Sequence, residues 1–283
     1  MPSRIAPLAE LLATRRDGLP LVGAHRGGAA YAPENTLASF AEGLRRGSPM
    51  LELDVHLSRD GELVVIHDHT IDRTTDGVGF VRELTLAELQ RLDAGSWFAP
   101  RFAGERIPTL ARVIDFVAGR AYLTIEVKGL PHEYPALSDT LVETLERAGV
   151  IEEVLIIAFD HRVVRRVKER NPTLKAAINY SGRLVDPLHA GRAARADVLN
   201  QSWLYCDREL CEGAHGAGFA VQCFAPSATV AWDLARNGVD ILDTDEPDLI
   251  LAATRAGATR PDGPPSIFDR SRSGQQYREG GGR

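Results

Sequence analysis

The sequence predicts an α/β fold in which parallel strands close into a barrel with helices around it. From Thr109 onward, short apolar runs alternate regularly with segments of helical periodicity, and such alternation indicates a parallel sheet. Eight parallel strands of this kind close into a TIM-type (β/α)8 barrel. An open doubly wound sheet is the alternative, but no G-x-G-x-x-G motif follows the first strand. A small insertion after the second strand region interrupts the predicted barrel.

The first part of the chain contains elements at less regular intervals. Leu8, Leu11 and Leu12 recur at helical spacing within residues 1–18, which predicts a short amphipathic helix. The other predicted elements are, in order, a strand at Leu21–His25, a helix capped by Asn35 or Thr36 and ending near Arg46, an acidic strand around Glu52 and Asp54, a turn at Arg59–Gly61 and a strand at Leu63–His67.

The second part of the chain contains the regular alternation. Helices are predicted at Thr109–Ala118, Ala136–Ala148, His161–Arg170, Pro187–Ala194, Asp207–Ala217, Thr229–Asn237 and Pro247–Arg255. Strands are predicted at Ala121–Lys128, Val154–Phe159, Leu174–Asn179, Val198–Gln201, Phe219–Phe224 and Asp240–Thr244. With the first strand and the acidic strand, these six supply the eight parallel strands of the barrel.

Residues 1–256 are predicted to form a single barrel domain. Within it, residues 69–108 are polar and irregular apart from one helical piece near Thr85–Leu92. A loop of this length in a compact domain is usually functional, so we expect a small inserted subdomain over the C-terminal face of the barrel. Residues 257–283 are rich in Gly, Pro, Ser and Arg and are predicted to be a disordered C-terminal tail.

Net charge and cysteine content narrow the range of partners and compartments. A formal net charge of −6 disfavours a nucleic-acid partner, although it leaves room for a local cationic pocket. Cys206, Cys211 and Cys223 lack C-x-x-C spacing, which favours a reducing compartment over a disulfide framework or a zinc site. The longest apolar run, Val154–Phe159, is too short to span a membrane, and the N-terminus lacks the apolar core of a secretion signal. We expect a soluble cytoplasmic protein without stable membrane insertion, and its oligomeric state stays open.

Carboxylates recur on one face of the acidic strand. Successive side chains of a strand point to opposite faces, so Glu52 and Asp54 share a face, and the same parity places Glu126 beside Lys128 on a later strand. Active sites of such barrels lie at the C-terminal ends of the strands. Three inward carboxylates there would make an all-oxygen site that suits Mg²⁺ or Ca²⁺ rather than zinc. An edge strand with a solvated polar face is the alternative explanation of the acidic strand alone.

Two histidines and an arginine also fall at predicted strand ends. His25 and Arg26 end the first strand, and His67 ends the strand that follows the acidic one. Each of them alone is more often a structural residue. Their coincidence with three carboxylates and Lys128 describes metal-assisted phosphoryl chemistry, in which a cation and basic side chains neutralise phosphate oxygens and imidazoles exchange protons.

Six short motifs in a fixed order resemble one known family, the glycerophosphodiester phosphodiesterases. Over about residues 20–255 they are HRGGAAYAPENT, ELDVHLSRDGELVVIHD, RTTDGVG, IPTL, IEVKG and GVDILDTDEP. The resemblance implies a TIM-type barrel enzyme of lipid and glycerol metabolism, with a small-molecule phosphodiester as its partner. Its reaction would be the metal-dependent hydrolysis of glycerophosphodiesters to sn-glycerol 3-phosphate and an alcohol.

The resemblance also implies roles for seven residues. The implied ligands of a divalent cation, Mg²⁺ or Ca²⁺, are Glu52, Asp54 and Glu126. The implied acid–base pair is His25 and His67; either imidazole can be the initial base, and we favour His25 as the base and His67 as the acid. The implied phosphate contacts are Arg26 and Lys128. In the mechanism that the family suggests, a glycerol hydroxyl of the substrate attacks phosphorus, and water then opens the cyclic phosphate.

Two strand ends depart from the pattern of that family. Its seventh barrel strand commonly ends in Trp-Thr-x-Asn, where this chain has Cys223–Pro226, and its fourth in Ser-Phe, where this chain has Ala158–Phe159. Phe159 and Phe224 are therefore expected to form an apolar wall near the substrate, which Trp203 could extend, although simple packing at the barrel mouth is the alternative. A lysophospholipase D-like activity on lysolipids is then an alternative function, and a non-catalytic barrel binding module is another.

Overall fold

A computed structural model describes residues 5–14 and 19–258. Within these ranges the helices are α1 (Leu8–Thr14), α2 (Leu37–Arg45), α3 (Leu86–Leu89), α4 (Leu110–Val117), α5 (Tyr134–Ala148), α6 (His161–Arg170), α7 (Pro187–Ala194), α8 (Arg208–Gly216), α9 (Ala228–Asn237) and α10 (Pro247–Ala258). The strands are β1 (Leu21–Ala24), β2 (Met50–Leu57), β3 (Leu63–Val65), β4 (Tyr122–Val127), β5 (Val154–Ala158), β6 (Lys175–Tyr180), β7 (Val198–Gln201), β8 (Ala220–Phe224) and β9 (Ile241–Thr244).

Eight of these strands are parallel and form a closed barrel. β1 pairs with β9 on one side and with β2 on the other. The remaining neighbours follow the order β2, β4, β5, β6, β7, β8 and β9, while β3 is an additional strand antiparallel to β2. The predicted (β/α)8 barrel is therefore confirmed, and the open doubly wound sheet is not what the chain forms.

Apolar side chains fill both the space outside the strands and the lower end of the barrel. Alternate residues of β2, such as Leu51 and Leu53, are fully buried in the main core that includes side chains of the helices. Inside the barrel, Leu21 packs with Leu8 and Leu12 of α1 in a separate cluster. Fully burying a leucine contributes about 1.5–3 kcal/mol. This apolar floor leaves the opposite, C-terminal end of the barrel for polar residues.

Side-chain caps define where several helices begin. The side chains of Thr36, Thr109, Asp160, Asp207 and Ser227 each accept a hydrogen bond from a backbone N–H in the first turn of the following helix. Such a cap is worth about 1 kcal/mol because it satisfies a donor that has no partner within the helix. These caps fix the residues at which the five helices begin. Within the described ranges, no helix is both long and apolar enough to cross a membrane.

The segment between β3 and α4 has a small apolar core of its own. Its buried members include Ile66, Ile71, Val81, Leu89 and Ile107. The strand predicted at Leu63–His67 ends at Val65, and the helix predicted near Thr85–Leu92 is the single turn α3. The helix stops early because the side chain of Asp93 accepts backbone N–H groups of the following loop and stabilises a turn there.

The domain boundaries stay a prediction. This applies to residues 1–256 as one domain and to residues 69–108 as a subdomain over the C-terminal face. The helix α10 extends through residue 258, two residues into the predicted tail, and the rest of that tail lies outside the described residues. Residues 1–4 and 15–18 of the predicted first helix also lie outside them.

Candidate active site

The chain leaves β1 through a tight turn that places two predicted site residues at the end of the barrel. The predicted strand stops one residue early, and His25–Gly27 form a 3-10 turn in which Arg26 adopts a left-handed φ of 49°. The backbone N–H of Arg26 donates to Glu52 Oε2 at 2.8 Å, and His25 Nε2 lies 3.9 Å from the same oxygen. Gly27 is required because its φ is 91° and a Cβ atom there would collide with α2.

Glu52, Asp54 and Glu126 form an acidic cluster, as strand parity predicts. Asp54 and Glu126 are register partners in the parallel pair β2–β4. One oxygen from each of the three carboxylates lies within 4.8 Å of the other two. Asn35 supports the cluster, since its Nδ2 donates to Asp54 Oδ2 at 2.8 Å. Lys128 Nζ lies 2.5 Å from Glu126 Oε1 and 3.3 Å from Asp54 Oδ1.

Burial and neighbouring charges perturb the three carboxylates in different directions. Burial and the negative charge of Asp54 raise the pKa of Glu52 to about 8. Burial also raises the pKa of Glu126, although Lys128 opposes it. Burial acts the same way on Asp54, but positive neighbours led by Lys128 outweigh it and lower the pKa of that carboxyl. The positive charge near the three carboxylates is thus too small to keep all three of them ionised.

The acidic cluster fits a hard divalent cation. Among the described residues, Asp54 Oδ1 is buried and has no hydrogen-bond partner. The exposed fractions of Glu52 and Asp54 are 2% and 1%, so their charges are poorly solvated by water. Three carboxylates are the kind of donor set that Mg²⁺ and Ca²⁺ prefer. A cation held there would supply the missing positive charge.

A carboxylate lies at Nδ1 of each of the two predicted catalytic imidazoles. His25 Nδ1 is 2.7 Å from Asp245 Oδ1, and His67 Nδ1 is 2.6 Å from Asp68 Oδ1. Such a partner orients the ring and leaves Nε2 free to exchange protons. Burial opposes the charged form of His25, but Asp245 and Glu52 outweigh it and raise its pKa to about 9. Burial lowers the pKa of His67, so the two rings favour different protonation states at neutral pH.

One arginine links the surroundings of His67 to those of Arg26. Arg73 donates two hydrogen bonds to Asp68, at 2.7 and 3.0 Å, and two to Glu34, at 2.7 and 2.8 Å. Asp68 holds His67, while Glu34 accepts a hydrogen bond from Arg26 Nη1 at 2.7 Å. The guanidinium of Arg26 also lies near the acidic cluster, with Nε 3.6 Å from Asp54 Oδ2. We call the Asp68–Arg73–Glu34 unit the arginine clamp.

A cavity of about 270 Å³ opens at the C-terminal end of the barrel. Five of the nine predicted site residues line it: His25, Glu52, Glu126, Phe159 and Phe224. The other four do not line this cavity: Asp54 belongs to the acidic cluster, and Arg26, His67 and Lys128 lie around it. Phe224 packs edge-on against the imidazole of His25, with ring centroids 5.1 Å apart, and Phe159 is 58% exposed at the mouth.

Several residues of the site were not among the predicted ones. Asp245 was visible as a carboxylate at a strand end, and Asp68 as the neighbour of a candidate histidine, but only the fold shows which nitrogen each one meets. Arg73 lies in the irregular segment, where no periodicity places a side chain. Asp243 also lines the cavity; burial raises its pKa to about 6.

These features define the class of the protein. Barrels of this kind carry their active sites at the C-terminal ends of the strands, and the acidic cluster and the two carboxylate-bound imidazoles lie there, which points to an enzyme for metal-assisted acid–base chemistry. The comparison with known families gives the more particular result. The model of the Glycerophosphoryl diester phosphodiesterase family matches residues 25–249, and the chain belongs to this family.

Individual relatives agree with the family match over nearly the whole barrel. A glycerophosphodiester phosphodiesterase of Caldanaerobacter subterraneus is 39% identical over 241 residues, which cover 84% of this chain and 98% of the relative. A phosphodiesterase of Oleispira antarctica, solved in complex with the product sn-glycerol 3-phosphate, has 30% identity and a TM-score of 0.79, and the match covers 84% of this chain and 97% of that one. A glycerophosphodiester phosphodiesterase from Agrobacterium tumefaciens has 28% identity and a TM-score of 0.74, over 83% of this chain and all of that one.

Proposed function

We propose that this protein hydrolyses glycerophosphodiesters to sn-glycerol 3-phosphate and an alcohol, with a divalent cation and with acid–base catalysis by His25 and His67. The observation that carries the proposal is the acidic cluster beside an imidazole whose Nε2 lies 3.9 Å from Glu52. The names of the two phosphodiesterase relatives and the product bound to the Oleispira enzyme support the choice of substrate.

The proposed ligands of the cation are Glu52, Asp54 and Glu126, and either Mg²⁺ or Ca²⁺ suits three carboxylates. When bound, the cation would neutralise charge that develops on the phosphate oxygens. Arg26 and Lys128 are proposed to add positive charge at the phosphate. Both are held by carboxylates of the site, and 17% and 15% of their side chains remain exposed.

The two imidazoles are proposed to move protons through Nε2. A glycerol hydroxyl of the substrate loses its proton to one ring as its oxygen bonds to phosphorus, and the bond from phosphorus to the leaving alcohol breaks as that oxygen gains a proton from the other ring. Water then opens the cyclic phosphate with the two rings in reversed roles, so both return to their starting protonation states. Asp245 and Asp68 keep the rings oriented throughout. With its pKa raised to about 9, His25 is charged at neutral pH in the protein alone. Its predicted role as the initial base therefore requires positive charge at the acidic cluster, which would lower that pKa.

The direct test is hydrolysis of glycerophosphocholine by paired variants. We expect Glu52→Gln and His25→Ala to lose nearly all activity while the far-ultraviolet circular dichroism stays unchanged. The matched controls are Glu169→Gln and His189→Ala, because both residues are exposed on outer helices away from the cavity. Near-normal turnover by either site variant would show that the assigned roles are wrong.

The alternative functions are less well supported. An apolar wall that includes Phe159 and Phe224 would tolerate an alkyl chain, but the relatives and the bound product favour acyl-free glycerophosphodiesters over lysolipids. A parallel assay of both substrate types separates the two activities. A non-catalytic barrel is not favoured, because the expected catalytic positions are filled and the relatives carry enzyme names.

We also propose that the protein acts in the cytoplasm on a small molecule and not on nucleic acid. The support is the net charge of −6 and the three cysteines, which are buried and unbridged. The hydrogen bond with the Cys211 thiol favours ionisation of Cys206, but the hydrogen bond with Cys223 and burial outweigh it and raise the pKa of the Cys206 thiol. Such thiols are inert structural residues.

A further inference from the structure

Four polar side chains on neighbouring strands stand inside the barrel above its apolar floor. We call Asn179, Asn200, Gln222 and Asp243 the polar arc. Asn179 is the register partner of Asn200, and Asn200 is the register partner of Gln222. Asn200 Nδ2 donates to Asn179 Oδ1 at 2.9 Å, and Gln222 Nε2 donates to Asp243 Oδ2 at 2.5 Å. The arc thus runs across β6 to β9, while the acidic cluster lies on β2 and β4.

The carboxylate of Asp243 has fewer partners than its burial requires. It is 5% exposed, and Gln222 is fully buried. Among the described residues, neither Asp243 Oδ1 nor Gln222 Oε1 has a hydrogen-bond partner. Burying a carboxylate with few donors is costly, and buried polar groups in native proteins are nearly always paired. Asp243, Asn179 and Asn200 line the same cavity as Glu52, so a molecule bound there meets the Asp243 side chain and the two amides.

The fold also makes room for this carboxylate. Asp243 is the register partner of Gly23 on β1, and a Cβ atom at position 23 would collide with Asp243 Oδ1. Gly23 has no unusual backbone angle, so the reason for a glycine there is the space it leaves. The position of the Asp243 carboxylate inside the barrel therefore depends on both β9 and β1.

We propose that the polar arc is a subsite for the hydroxyl groups of an alcohol carried by the diester, in which Asp243 accepts a hydrogen bond from a hydroxyl and Asn179 and Asn200 offer amide groups beside it. This inference rests on the proposed function and names a specificity determinant for it. An ionised carboxylate only accepts hydrogen bonds, so it selects a donor. A hydroxyl both donates and accepts hydrogen bonds and therefore suits the carboxylate and the amides of the polar arc. An alkyl chain or a quaternary ammonium group neither donates nor accepts them.

The first experiment removes hydroxyl groups from the leaving alcohol. Wild-type protein and Asp243→Asn are compared at pH 8 on glycerophosphoglycerol and glycerophosphopropanol, and kcat/KM is measured for each. A hydrogen bond to a charged group is worth about a 10- to 100-fold preference. We expect wild-type protein to prefer the hydroxylated diester by a factor in this range, and the ratio of the two kcat/KM values to fall about tenfold or more in Asp243→Asn.

The second experiment removes hydroxyl groups from the glycerol that stays on the phosphate. The dissociation constants of sn-glycerol 3-phosphate and n-propyl phosphate are measured by calorimetry with Mg²⁺ present. A reduced preference for sn-glycerol 3-phosphate in Asp243→Asn would place the retained glycerol at the arc, and a reduced preference in the first experiment would place the leaving alcohol there. If the variant changes neither ratio, the inference is wrong. If wild-type protein hydrolyses no diester, the proposed function fails, and the binding experiment still tests the subsite.

Two further variants separate recognition from folding. Asp240→Asn is the matched control, because Asp240 is also buried but lies three residues earlier, where it accepts hydrogen bonds from Val221 N and His215. We expect it to lower the unfolding temperature without changing either ratio. Gln222→Leu removes the donor that holds Asp243 and keeps the carboxylate, so it should lower the same ratio that Asp243→Asn lowers, though by less. A fall of equal size in Asp240→Asn would overturn the inference.

Discussion

Replacing Arg73 with glutamine would separate two carboxylates that one guanidinium now holds. The change removes the four hydrogen bonds of the arginine clamp, two to Asp68 and two to Glu34. Asp68 is the partner of His67 Nδ1, and Glu34 is the partner of Arg26. Without the positive charge between them, the two carboxylates repel each other. The imidazole of His67, proposed to be catalytic, and the guanidinium of Arg26, proposed to bind phosphate, then both lose part of their support.

The structure predicts a small effect on stability and a larger one on catalysis. The side chain of Arg73 is 44% exposed, so each of its two ion pairs contributes only about 0.2–1 kcal/mol to the free energy of unfolding. Displacing a catalytic group by about 1 Å, in contrast, costs on the order of 100-fold in rate. We expect kcat of Arg73→Gln to fall about 10- to 100-fold while the free energy of unfolding falls by about 1 kcal/mol.

The assay is steady-state hydrolysis of glycerophosphocholine, with urea unfolding measured in parallel. Arg73→Lys keeps the charge but cannot form the forked contacts with two carboxylates, so its kcat should lie between those of wild type and Arg73→Gln. Arg82→Gln is the control, because Arg82 belongs to the same segment, its side chain is 40% exposed, and its ion pair within the described residues is a distant one, 4.0 Å from Glu83. A kcat of Arg73→Gln within twofold of wild type, or an equal loss in Arg82→Gln, would refute this reasoning.

Three further predictions concern pH, the cation and the fold. Burial lowers the pKa of His56 to about 4 from about 6.5 in the unfolded chain. Below pH 6.5 the unfolded state therefore binds more protons than the folded state, and the free energy of unfolding falls as the pH decreases to 4. In urea unfolding, the free energy of unfolding of His56→Gln should fall by about 2 kcal/mol less than that of wild type between pH 7.5 and pH 4.5. Chelation of divalent cations should abolish activity. In wild type but not in Glu52→Gln, Mg²⁺ or Ca²⁺ at about 100 times its dissociation constant should raise the free energy of unfolding by about 2.7 kcal/mol and Tm by about 5–10 °C. Equal shifts in both proteins would exclude Glu52 as a ligand. Lys168→Met should destabilise the fold by about 2 kcal/mol, because buried Lys168 donates to two carbonyl groups and to Asp197, while Lys175→Met, which removes one contact with Asp197, should cost less in the same measurement.

Strand parity is what made the centre of the site predictable. Alternation along β2 and β4 is a local property, so it identifies the shared face of Glu52 and Asp54 and that of Glu126 before any contact is known. The barrel then brings these faces together, because the C-terminal ends of all its parallel strands lie at one edge. Phe224 was predicted on a different basis, from a strand end that departs from the family pattern, and it lines the cavity.

The support around the site could not be predicted in this way. The turn at His25–Gly27 depends on a left-handed Arg26, which local sequence preferences disfavour and which its contact with Glu52 stabilises. Arg73 lies in a segment whose path is determined by its own small core and not by periodicity. The partner of His25 is likewise a tertiary contact, since Asp245 reaches it from 220 residues away along the chain.

The apolar floor of the barrel has a consequence for the order of events during turnover. Leu8 and Leu12 of α1 close the lower end together with Leu21, so neither substrate nor product can pass through that end. The substrate must enter, and both products must depart, by the mouth near Phe159. Of the two products, the one seated deeper has to wait for the other. The product that leaves last competes with substrate for the free protein. The product that inhibits competitively is therefore the one released last.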